Sequence, residues 1–212
     1  MTRGRFIAFE GGEGAGKSTQ ARLLAEALGR QGIATLLTRE PGGTLGAEAI
    51  RALLLDPPGD GWGARAEALL FAAARADHVE RAITPALDQG KWVICDRFVD
   101  SSRAYQGGAG GLADAEILDL HRIGSGGLLP DLVVLLEIPA EMAAERMSRR
   151  SGGAGDAIER RGEEYHRHVA EAFLRLAKGE EGRFARIVGK GSPEQTHALI
   201  MQAVAPLIGN DR

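Results

Sequence analysis

Residues Gly11 to Ser18, GGEGAGKS, follow a short apolar run and precede a helical period, and they match G-x-x-x-x-G-K-[ST]. Glycines open backbone conformations closed to other residues, so successive N–H groups can converge on phosphate oxygens. A helix starting there adds the positive end of its dipole. In such a loop Lys17 meets the β- and γ-phosphates, and the Ser18 hydroxyl becomes a Mg²⁺ ligand. The expected ATP-binding segment is Gly11, Gly12, Glu13, Gly14, Ala15, Gly16, Lys17, Ser18 and Thr19. A glycine-rich turn that binds nothing is the competing reading, and the strand-then-helix context speaks against it.

Three further stretches could form the other half of a site. In LLFAAARADH, Phe71 and Arg75 are four apart and share one helix face. A ring there can stack on a base while the guanidinium reaches the base edge. A core Phe with a snorkelling Arg explains the pair equally well if it stands alone. VICDRF ends an apolar strand in Asp96-Arg97, where an acid can organise Mg²⁺ and its waters and an Arg can clamp a phosphate. TREPGGT places Arg39 at another strand end. No N-K-x-D segment for reading guanine is present, and the chain is short for an ATPase motor. A small phosphate-loop kinase acting on a small molecule remains.

Five strands must position these residues: Phe6–Phe9, Ala34–Leu37, Trp92–Cys95, Leu132–Leu136 and Ala185–Val188. Their nearly continuous apolar character predicts a sheet buried on both faces. Helical periods alternate with them, with apolar stripes at Ala21, Leu24, Ala25 and Leu28 and at Ile50, Leu53 and Leu54. Residues 64–89 read as one long helix, bent or restarted near Thr84-Pro85, and Ser192-Pro193 opens a last helix. This alternation predicts a parallel α/β sheet with right-handed crossovers in one domain, residues 1–212.

The chain has 212 residues, 44% hydrophobic and 26% charged, with a formal net charge of −3, which calls for neither nucleic acid nor membrane as partner. The lone Cys95 lies in an apolar run, so neither disulfide nor zinc chemistry is expected. The opening MTRGRFIAFEGG has too short an apolar core for a signal peptide, and a cytoplasmic location is expected.

FEGGEGAGKST, TREPGGT, LLFAAAR, CDRF, SSRAYQG and PDLVVLLEI together resemble the thymidylate kinase family, over nearly the whole chain. The resemblance implies a P-loop nucleoside monophosphate kinase fold, with a five-stranded parallel sheet flanked by helices on both sides and a helical lid. It implies dTMP and ATP as substrates, with Mg²⁺, and a homodimer. By that resemblance Phe71 stacks on thymine, Arg75 hydrogen-bonds the base and Arg97 holds the acceptor phosphate. Glu13 faces the sugar 3′-hydroxyl, and Ser102, Tyr105 and Gln106 line the nucleoside pocket, with Tyr105 against the sugar. Lys17, Asp96 and Arg97 are the expected catalytic groups outside the lid, and Ser18 and Asp96 the metal-binding ones.

The lid, residues 146–161, carries Arg146, Arg149, Arg150, Arg160 and Arg161 around Ser-Gly-Gly-Ala-Gly. A closing arginine can stabilise charge on a phosphoryl in transit. Some family members carry such an arginine in the phosphate loop. Here Gly14 holds that position, so the lid is expected to supply it, through Arg149 and Arg150 or through Arg160. The far side reads Asp156-Ala157-Ile158-Glu159, where relatives carry an arginine second. Two rivals stand beside this reading: another nucleoside monophosphate kinase, and a nucleotide-binding regulator without catalysis.

Overall fold

Five short runs of branched and aromatic residues pair as a parallel sheet in this computed structural model, which describes residues 2–139, 142–143, 146 and 156–209. The strands are β1 (Phe6–Glu10), β2 (Thr35–Arg39), β3 (Trp92–Asp96), β4 (Leu132–Glu137) and β5 (Phe184–Val188), in the order β2-β3-β1-β4-β5. Side chains alternate across the sheet, so each central strand feeds two cores. Ile7, Phe9, Ile94 and Val134 pack against Leu24 and Leu28 of α1 (Lys17–Arg30) and against Ile200 and Val204 of the C-terminal helix, Pro193–Gly209. On the opposite face Phe6, Ala8, Val93 and Cys95 meet Ile83, Leu87 and Phe98. Beside them Val133 and Leu135 meet Tyr105 and Phe173.

The expectation of burial on both faces holds for β1, β3 and β4. It fails at the sheet edges: β2 is half-exposed, with Leu37 at 45%, and β5 buries only Phe184 and Ile187. An edge strand has one unpaired side and less cover above it.

The long helix expected over 64–89 divides into α3 (Ala64–His78), a wide π-helical turn (Val79–Ile83) and a short helix Thr84–Asp88. Pro85 sits in the first turn of that short helix, where its missing N–H costs no bond, and the wide turn before it accommodates the ring. A second π-helical turn, Arg103–Ala109, follows the four-residue helix Val99–Ser102 and carries the SSRAYQG segment.

Register explains why distant motifs meet. Phe9 pairs with Asp96, and Asp96 with Arg39, so β1, β3 and β2 all end at one carboxyl edge. The phosphate loop, Asp96-Arg97 and TREPGGT leave the sheet there together.

Candidate active site

Gly11 turns out of β1 at φ 137°, and a Cβ there would lie 2.3 Å from the Leu136 carbonyl oxygen, so only glycine fits. Gly16, at φ 93°, is the N-cap of α1, and Lys17 begins the helix. The Lys17 ammonium folds back over the loop, donating to Gly11 O at 3.1 Å and Gly12 O at 2.8 Å. Burial, with Arg97 adding repulsion, lowers its pKa to about 8. The Ser18 hydroxyl donates to Asp96 Oδ2, joining the loop to the end of β3.

Arg97 is the one described non-glycine residue at positive φ, 71°. Such a conformation costs on the order of 1–3 kcal/mol and persists only where neighbours over-determine it. Here they do. Its N–H donates to Phe9 O at 2.9 Å. Nη1 donates to Gly11 O at 3.2 Å and to Ser101 Oγ at 3.1 Å. Nη2 donates to Glu13 Oε1 at 2.5 Å and to Tyr105 OH at 3.2 Å. Tyr105 OH donates to the same Glu13 oxygen at 2.9 Å. Burial pushes the Glu13 carboxyl up, but Arg97 and then Lys17 outweigh it and leave the pKa at about 2.

Glu10, the last residue of β1, is fully buried beneath this turn. Its oxygens accept from Phe98 N–H at 2.8 Å, Ser101 N–H at 3.1 Å and Ser101 Oγ at 2.6 Å. Burial, and then the Asp100 carboxylate, raise its pKa to about 7.

Above the carboxyl edge lies a cavity of about 450 Å³. Among the expected site residues, Glu13, Gly14, Gly16, Lys17, Ser18, Thr19, Phe71, Asp96, Arg97, Ser102, Tyr105 and Gln106 line it. Gly11, Gly12 and Ala15 shape the loop from behind. The structure does not bring Arg75 into the lining: it is 3% exposed, and its donors go to Glu40 Oε2 at 2.7 Å, Ser102 Oγ at 2.9 Å and Phe98 O at 3.3 Å. Helical spacing sets where its Cβ points, but the buried Glu40 carboxylate sets where its guanidinium ends.

Arg149 and Arg150 lie outside the described residues. Arg146 is described: it lines the cavity, and its Nη1 reaches Gly14 O at 3.4 Å. Arg160 is exposed and outside the lining, and Arg161 pairs with Glu67. The Asp156–Glu159 stretch closes the cavity from the side. Ala157 N–H donates to Leu55 O at 3.2 Å, and Asp156 Oδ1 accepts from Ile158 and Glu159 N–H, both at 2.9 Å. Sequence reasoning missed Arg51, Leu55, Pro41 and Ser101, which also line the cavity. Ser101 and Pro41 lie within the quoted SSRAYQG and TREPGGT segments, whereas Arg51 and Leu55 depend on how α2 (Leu45–Leu55) packs.

The Thymidylate kinase family model matches residues 9–200 of this chain. A thymidylate kinase of Rhizorhabdus wittichii is 55% identical over 97% of this chain and 99% of that protein. One from Bradyrhizobium sp. (strain ORS 278) is 48% identical over 95% of this chain and 90% of that protein. The crystal structure of thymidylate kinase from Ehrlichia chaffeensis superposes with a TM-score of 0.78 at 32% identity, covering 95% of this chain and 99% of that one. With the sheet order, the phosphate loop and the site at its carboxyl edge already in place, the chain belongs to the thymidylate kinase family.

Proposed function

We propose that this chain carries out the reaction of its family, transferring the γ-phosphoryl group of ATP to dTMP to give dTDP. The observation that carries the reading is the single cavity wall on which Lys17 and Ser18 stand beside Asp96 and Arg97, with Phe71 and Gln106 lining the same space. The loop amides and Lys17 bind donor phosphates. Arg97 offers its fork to the acceptor phosphate, and Phe71 stacks on the thymine. Tyr105 and Glu13 flank the sugar, and Arg75 holds Ser102 in place from behind. The arrangement works by positioning and electrostatics and needs no covalent intermediate.

Ser18 and Asp96 suit Mg²⁺: both are hard oxygen donors, in contact with each other at the mouth of the loop. No cluster of three acidic, His or Cys ligands occurs among the described residues, which fits an ion held largely by nucleotide phosphates and water. When bound, the ion neutralises developing charge on the phosphoryl oxygens.

A homodimer is part of the proposal. Leu45 and Leu53 on α2, Leu69 on α3 and Ile123 on the Asp114–Ser125 helix are exposed on neighbouring helices, with Leu45 at 95%. Light scattering that returns a monomer mass would remove it. No described helix is long and apolar enough to cross a membrane.

A coupled ADP-release assay with dTMP, dUMP, dGMP, dCMP and AMP tests the activity. dTMP is expected to lead, and Lys17→Ala to abolish turnover while dTMP binding stays measurable. A wild type that turns over none of the five overturns the catalytic reading, and one that prefers another nucleotide overturns the acceptor.

A further inference from the structure

Glu67 lies one helical turn before Phe71 and two before Arg75, on the same face of α3. It is 6% exposed, an unusual place for a carboxylate. Its two oxygens have separate partners. Oε2 accepts from Arg161 Nη2, at the end of the lid segment. Oε1 accepts from Gln106 Nε2 at 2.8 Å. Arg161 is itself held, donating to Tyr165 OH at 2.5 Å, and that hydroxyl donates to Tyr105 O at 3.0 Å.

A carboxylate paired with a guanidinium accepts hydrogen bonds and donates none. The two ends of an amide are alike in shape, so their partners decide which is which. The end of Gln106 that faces Glu67 must therefore be the NH₂. Oε1 is then turned the other way. Gln106 is 2% exposed and lines the cavity, yet among the described residues no donor meets its Oε1, and that oxygen is not among the buried atoms lacking a partner. It is an acceptor left open on the wall of the cavity that Phe71 also lines.

We propose that Glu67 is a positioning residue that determines base specificity: by holding the Gln106 NH₂, it presents Gln106 Oε1 as the acceptor for the N3–H of thymine. The inference rests on the reading that the base stacks on Phe71. Thymine and uracil carry a proton on N3, whereas cytosine carries a lone pair there. An outward carbonyl oxygen bonds the first two and opposes the third, and a polar group left unpaired in a closed site is a strong ground for rejection. The same carboxylate holds Arg161, so the lid's anchor and the base-reading amide share one partner.

Glu67→Gln tests this. The amide that the substitution introduces can donate as well as accept, so it no longer dictates which end of Gln106 faces the cavity. The expected result is a fall of roughly tenfold or more in the ratio of kcat/KM for dTMP to that for dCMP, with KM for ATP within about twofold. Glu67→Asp keeps the charge beside Arg161 but withdraws from Gln106, and should narrow the ratio in the same direction by less. If the ratio in both folded variants stays within about twofold of wild type, Glu67 is a structural carboxylate and the proposal fails, even where activity drops on both nucleotides. Wild-type protein supplies a test that no folding defect can obscure: dTMP methylated at N3 should be a poor substrate. Its use as readily as dTMP would show that no acceptor faces N3. A wild type that prefers another base to thymine would instead strike at the placement of the base, and is seen before any variant is made.

Discussion

Arg97 and Glu13 form an ion pair of 2.5 Å across the mouth of the phosphate loop, joining the end of β3 to the loop that follows β1. The pair holds the guanidinium where an acceptor phosphate would arrive, and Tyr105 shares it from below at 5.0 Å from ring centre to guanidinium carbon. Arg97→Lys keeps the charge and loses the planar fork that bonds Gly11, Ser101, Glu13 and Tyr105. We expect kcat/KM for dTMP to fall by about 10²-fold with KM for ATP nearly unchanged. Steady-state kinetics varying each substrate decide it, and equal effects on both KM values would contradict an acceptor-side role.

Phe71 is half-buried and lines the cavity. Phe71→Leu keeps an apolar helix face and removes the ring. The expected loss in kcat/KM for dTMP is about 1–3 kcal/mol, the range of base–aromatic stacking, with KM for ATP unchanged. A lowered melting temperature with kinetics within about twofold would make Phe71 a core residue.

Of the described arginines expected in the lid, Arg146 reaches the phosphate loop, whereas Arg160 is exposed. Arg146→Ala is expected to lower kcat by about 10²-fold while changing KM for dTMP little, as for a group that binds charge developing in transit. Arg160→Ala should leave kcat within about twofold. The Arg149→Ala/Arg150→Ala double variant belongs in the same series, since the sequence pointed to those two. A kcat loss confined to Arg160→Ala would move the catalytic charge to the far side of the lid.

Glu10 carries a pH prediction. Its folded pKa is raised to about 7 from the usual 4.5, so the folded chain holds a proton that the unfolded chain releases. Its contribution is therefore fully present below pH 4.5 and is lost as pH rises toward 7. The loss amounts to roughly 3 kcal/mol. Glu10→Gln keeps an oxygen for the Phe98 and Ser101 N–H groups and cannot ionise. Thermal unfolding between pH 4.5 and 8 should show a flatter stability profile for this variant than for wild type. Parallel profiles would mean that Glu10 keeps its charge throughout.

Local chemistry made much of this protein legible before any fold was known. The phosphate loop is contiguous, and its function follows from glycine freedom, one lysine and one hydroxyl at set offsets. The five strands were readable because buried parallel strands are short apolar runs, and the central three match to within a residue at each end. Phe71 could be placed on a helix face because spacing along a helix fixes direction. What the sequence could not decide is where long side chains end and which distant groups meet them. Arg75 shares its face with Phe71, but Glu40, thirty-five residues away, draws its guanidinium out of the cavity. Glu67 sits in the same stripe, and only the fold brings Gln106 and Arg161 to its two oxygens. Arg97 could be named as a phosphate clamp from VICDRF, yet its positive φ and its pairing with Glu13 exist only because β1 and β3 are neighbours in register. Spacing along a chain sets backbone direction over a few residues. The partner of a buried charge is set by desolvation, which acts only once the sheet and its helices have closed around it.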